Sequence, residues 1–133
     1  MEFLSILHDS LPPDLSTYDV ILAFTEKIAN VLEHTIGNEN MKKVYQILLA
    51  GNVDTEAVKG YSRELYKLFH SILEKGIQRG DIKSTWRIED LSRHFVMAFR
   101  GLTYEWCIRY PDFDLKEQAI AHCRLLMEGI KLC

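Results

Sequence analysis

The chain has 133 residues, 47% of them hydrophobic and 26% charged, with a formal net charge of -3. That length is enough for one contiguous core without disulfides or metals, and the composition is that of an ordered, folded domain, so a single domain over 1–133 is expected. The mild acidity creates no field that would draw in a phosphate backbone, so this chain alone is not expected to bind DNA.

The three cysteines, Cys107, Cys123 and Cys133, are odd in number and form no C-x-x-C. Neither a disulfide framework nor a zinc knuckle is indicated, which suits a reducing cytoplasm. No apolar run reaches the ~20 residues that a bilayer crossing needs. The opening residues lack the basic stretch of a secretory signal, so a cytoplasmic protein without a membrane partner is expected.

Apolar residues recur at helical spacing almost throughout, and the reading is all-α with about six helices. The first piece, 2–11, carries Phe3, Leu4 and Leu7 and stops at Pro12-Pro13, which remove an amide and restrict the residue before them. The next helix opens at Ser16, with Asp19 placed for a capping box, and runs to about Ile36 before Gly37. Ile21, Phe24, Ile28, Val31 and Leu32 make its stripe. A short helix over 39–50 is expected to bury Met41, Val44, Tyr45, Leu48 and Leu49 and to end at Gly51-Asn52.

A long amphipathic helix over about 54–79 carries Val58, Tyr61, Leu65, Leu68, Phe69, Ile72, Leu73 and Ile77. Gly80 closes it. Another helix follows from Ile88 to Tyr110, ending before Pro111. The last starts at Asp114 with Glu117 as the second half of a capping box, and Leu115, Ala119, Ile120, Cys123, Leu126, Met127 and Ile130 give it a wide apolar face.

Several chemistries lack their residues. The five histidines include no H-E-x-x-H and no E-x-x-H, so surface or core histidines are preferred over a metal site assembled from residues such as His70 and His94. No metal and no cofactor are expected. With no glycine-rich phosphate loop, no G-x-S-x-G and no nucleophile paired with a base, the chain is not expected to be an enzyme.

Leu73, Gly76, Gly80, Asp81 and Ile82 spell a helix end of the form L-x-x-G-x-x-x-G-D/E-L/I, followed by Glu89-Asp90-Leu91, then Gly101-Leu102 and Trp106. In this order and spacing the stretch resembles the C-terminal half of TetR-type transcriptional regulators, over about residues 16–133. Where those regulators often open the fifth helix on Asp, this chain has Arg87, with Ser84 and Thr85 nearby. Nothing here resembles the helix-turn-helix that precedes this region in the family. The resemblance therefore implies an effector-binding and dimerisation domain of a regulator, expected to be a repressor, with residues 1–15 the remnant of a helix leading from a missing DNA-binding domain. DNA would be reached only through that domain. A stand-alone helical dimeric protein-interaction module is the alternative.

The resemblance further implies a homodimer in which the last two helices of each subunit form an intersubunit four-helix bundle. Leu91, Phe95, Leu102, Trp106, Ala119, Ile120, Cys123, Leu126, Met127 and Ile130 are the expected interface. An apolar or amphipathic small-molecule effector would sit among Phe24, Ile28, Tyr45, Leu48, Tyr61, Leu65, Phe69, Met97, Arg100 and Tyr104. Taken singly, each of these aromatics reads as ordinary core, and only the cluster points to a ligand. Arg100, if turned inward, would favour an anionic or carbonyl-bearing molecule.

Overall fold

A computed structural model describes the backbone of residues 14–51 and 56–130, with side chains described for 14–51 and 63–130. The helix expected over 2–11 lies outside the described residues. Five α-helices are seen and, among the described residues, no strand: α1 (Thr17–Asn30), α2 (Asn38–Ala50), α3 (Glu56–Arg79), α4 (Ile88–Arg109) and α5 (Leu115–Glu128).

Local chemistry sets most of the helix ends. The Ser16 hydroxyl accepts from the Asp19 amide at 3.1 Å, satisfying one of the free donors that every helix start presents. Gly51 and Gly80 adopt positive φ, 68° and 79°, a conformation that glycine enters without a Cβ penalty. Asp114 caps α5 by accepting from the Lys116 amide at 3.1 Å. Arg87 makes no side-chain cap, so α4 instead relies on Glu89 and Asp90, whose negative charges suit the positive end of the helix dipole.

The helix expected to run unbroken from Ser16 to Ile36 changes character after Asn30. Val31–Ile36 is a wider π-helical turn, closed by a bond from the Gly37 amide to the Leu32 carbonyl at 2.8 Å. An apolar stripe read at the α-helical period does not reveal such a turn, because the residue types of Val31–Ile36 do not mark the change of period.

The core is built from α1, α3, α4 and α5. The aromatic rings of Phe24, Phe69 and Phe95 lie at its centre, Phe24 edge-on to Phe69 at 5.7 Å and Phe69 stacked on Phe95 at 5.6 Å. Helix α2 rests chiefly on α4 and on the π turn. It was expected to bury five apolar residues. Met41, Val44, Tyr45 and Leu48 are only half-buried, and Leu49 is 72% exposed; Asn38 is the buried residue of this helix. The helix lies on the body of the fold with one side against α4, so its stripe is covered from that side alone.

Three helix ends meet at the link after α3. The Asp81 carboxylate accepts from the Thr17 amide at 2.9 Å and from the Thr17 hydroxyl at 2.8 Å, so the end of α3 caps the start of α1. A Cβ at Gly76 would come within 2.6 Å of the Thr17 hydroxyl and 2.9 Å of Ile82, so only glycine allows α3 this close. Ile82 is buried, and the next amide, Lys83, donates to the Ile130 carbonyl beyond α5 at 2.7 Å. Leu73, Gly76, Gly80, Asp81 and Ile82 are thus one fastening.

Burial pushes the Asp81 carboxyl up, but the two Thr17 donors and the nearby Arg79 charge outweigh it and hold it below the ordinary aspartate value of 3.8. A carboxylate with a depressed pKa in the fold stabilises fully above its unfolded value and loses that effect as pH falls through the folded one. Asp81→Asn is expected to cost about 1 kcal/mol at pH 7, the usual scale for losing a helix cap. Urea unfolding of both proteins across pH is expected to show that gap closing below the ordinary aspartate value.

Candidate functional site

The expected effector residues separate into two groups. Phe24, Ile28, Leu65 and Phe69 are at most 1% exposed and close-packed with Phe95, so they form solid core. Tyr45, Leu48, Arg100 and Tyr104 come from the two helices that form the seam between α2 and α4, and all but Tyr104, at 36%, are half-buried. Met97, expected in the pocket wall, is 59% exposed and points away from the core. The side chain of Tyr61 lies outside the described residues.

In the seam, Tyr45 donates its hydroxyl to the Arg100 carbonyl at 3.3 Å and meets Tyr104 edge-on at 5.2 Å. Burial pushes the Tyr45 phenol up to about 12, with Cys107 adding to the effect and the Arg100 charge opposing it. One and a half turns of α4 further on, the Asn38 amide nitrogen donates to the Trp106 carbonyl at 3.4 Å. Its oxygen, Oδ1, is buried and meets no donor among the described residues. Asn38 was not anticipated as a site residue. A polar residue just after a glycine reads in sequence as an exposed helix start.

The expected dimer residues fall mostly in the chain's own core. Leu91, Phe95, Leu102, Trp106, Ala119, Cys123, Met127 and Ile130 are all buried within the chain's own core, and Leu126 is half-buried against it. Ile120 is half-buried as well. The buried ones pack within the chain's own body, whereas Ile120 and Leu126 keep part of their surface.

What α4 and α5 present outward is a different set. Met97, Gly101, Tyr104 and Ile108 follow one another at four-, three- and four-residue steps on the side of α4 away from the core, and Leu125 of α5 is 70% exposed. An open groove of about 660 Å³ runs between these helices, lined by Met97, Ala98, Gly101, Glu105, Gln118 and His122 among others. A Cβ at Gly101 would touch nothing within 4 Å, so its lack of a side chain serves no contact inside the chain. The second stripe was present in the sequence as spacing, but nothing there says which of two apolar stripes on one helix faces the core.

Among the described residues, no three His, Cys, Asp or Glu side chains gather as a metal-ligand set. His70 faces Glu89 at 3.8 Å, whereas His94 packs edge-on against Trp86 at 5.3 Å. No helix among the described residues is long and apolar enough to cross a membrane. The sequence matches no protein-family profile, and no curated protein and no solved structure is similar to it.

Cys107 and Cys123 are buried thiols whose pKa burial raises; a hydrogen-bonding contact with the Thr25 hydroxyl, at 3.1 Å, partly offsets this for Cys123. Thiols held protonated and out of solvent react slowly. In the Cys133→Ser variant, a thiol reagent is expected to label neither until the fold opens. Prompt stoichiometric labelling of the native protein would contradict the burial.

Proposed function

We propose that this chain is the dimerising, effector-binding part of a cytoplasmic, non-catalytic TetR-like regulator, acting as a repressor. A small molecule held between helices of each protomer would favour one of two packings. The pair of subunits would then carry the change to DNA-reading domains outside these residues. The resemblance of the Leu73-to-Trp106 motifs to TetR-type regulators is the origin of this reading.

The observation that carries it furthest is the apolar outward face of α4 and α5. Exposed Met97, Ile108 and Leu125 beside an open Gly101 give two helices a surface on which the same pair from a second copy can lie closely, and a twofold arrangement closes such a contact. On this reading self-association uses the outward set rather than the residues buried in the core. An intersubunit four-helix bundle is the arrangement proposed.

The alternative, a helical dimeric interaction module with no effector, draws support from the close packing of Phe24, Phe69 and Phe95, which leaves the centre of the bundle filled. Both readings need the dimer, and only the first needs a ligand.

Sedimentation equilibrium at micromolar concentration is expected to give twice the chain mass. Leu125→Glu, at a position 70% exposed, is expected to give a monomer with unchanged helix content. A wild-type monomer would overturn both readings. A dimer unaffected by Leu125→Glu and Ile108→Glu together would move the contact elsewhere.

A further inference from the structure

We infer that the seam between α2 and α4 takes an aryl carboxylic acid with a hydroxyl at its far end, the hydroxyl donating to Asn38 and the carboxylate meeting Arg100. The inference rests on the effector-binding reading and names the chemistry of that effector.

Asn38 supplies the first argument. It is 8% exposed, its nitrogen is engaged by the Trp106 carbonyl, and its oxygen is buried without a donor among the described residues. Native folds rarely leave such an acceptor unpaired, and where one persists, a role outside the fold's own stability is a reason to keep it. A carbonyl oxygen accepts, so the matching ligand group carries O–H or N–H.

Arg100 supplies the second. It is half-buried, and no carboxylate lies within ion-pair distance of it among the described residues, while its charge reaches the Tyr45 phenol. A planar guanidinium without a carboxylate partner matches a carboxylate in two-point geometry. Lys42, close enough to Cys107 for its charge to be felt there, adds positive potential on the α2 side, although Glu39 partly balances it at 3.6 Å.

The ligand body follows from what lies between the two groups. Tyr45 and Tyr104 meet edge-on at the Arg100 end of the seam, a lining that an aryl ring can join by stacking or edge contact. The Asn38 amide reaches Trp106, and the Tyr45 hydroxyl reaches Arg100, so α2 and α4 run antiparallel. Asn38 and Tyr45 are seven residues apart on α2, roughly 10 Å along its axis. The polar groups therefore sit at opposite ends of the seam, which calls for an elongated molecule with polar ends.

Entry requires α2 to move. It follows the π turn and Gly37, whose φ of 87° makes it a joint that other residues would strain. Its apolar contacts with the core come from half-buried Met41 and Tyr45, so it can tilt without opening the phenylalanine core. Such peripheral elements are drawn from the less stable end of a fold.

The test titrates the purified chain with four probes: trans-4-hydroxycinnamate, trans-cinnamate, which lacks the hydroxyl, 4-vinylphenol, which lacks the carboxylate, and decanol, which lacks both the ring and the carboxylate. Hydroxycinnamate is expected to raise the melting temperature and to bind about tenfold more tightly than cinnamate or vinylphenol. Asn38→Ala is expected to erase the advantage over cinnamate, and Arg100→Gln the advantage over vinylphenol. Equal binding of hydroxycinnamate and cinnamate to the wild type overturns the inference, whether or not either variant folds. Binding of decanol alone, weakened by Tyr45→Ala, overturns the ligand class and leaves the effector reading standing. No binding by any of the four probes overturns the inference and counts against the effector reading together.

Discussion

Helix α4 is packed on two sides and presents an open apolar third, and the behaviour of the molecule follows from that constraint. Phe95, Phe99, Leu102 and Trp106 hold it in the core. The backbone carbonyls of Arg100 and Trp106 receive the Tyr45 hydroxyl and the Asn38 amide from α2. Met97 and Ile108 face outward beside Gly101. A rigid helix cannot shift on one of these sides and stay fixed on the other two, because close-packed interiors transmit displacement instead of absorbing it.

The fastening at Thr17, Gly76 and Asp81 gives α4 a fixed body to move against. It joins the start of α1 to the end of α3, and the following residue pair extends it to the end of α5 through buried Ile82 and the Lys83 amide. With those ends tied, α2 is the described α-helix without a buried apolar residue. The molecule therefore combines a stiff four-helix body with one peripheral helix on a glycine joint.

Helix ends were the most legible part of the sequence, because capping is local: Ser16, Gly51, Gly80 and Asp114 act on residues within a turn of themselves. The direction of a face was not legible. Leu91, Phe95, Leu102 and Trp106 make one helical stripe of α4 and Met97, Gly101, Tyr104 and Ile108 another, and only the placement of α1 and α3 decides which is inside. Long-range fits were hidden for the same reason. Gly76 reads as a weak point in a helix until Thr17, distant in sequence, is seen lying across it. Asn38 reads as a surface start residue until its amide is seen donating to the Trp106 carbonyl. Of the effector set, Tyr45, Leu48, Arg100 and Tyr104 belong to the two helices of one seam, whereas Phe24, Ile28, Leu65 and Phe69 belong to the packed interior. Hydrophobic spacing treats these two environments alike.

The central claim is that the α2 seam and the outward face of α4 and α5 are coupled through α4. Asn38 is on α2, meets α4 at the Trp106 carbonyl and is not among the groove-lining residues, so replacing it should leave self-association untouched unless α4 carries the effect. Sedimentation of wild type and Asn38→Ala over a concentration series tests this directly. A dimer dissociation constant changed by about fivefold or more, the lower range of coupling between sites, is the predicted result. Identical constants for the two proteins, with both fully folded, would contradict it.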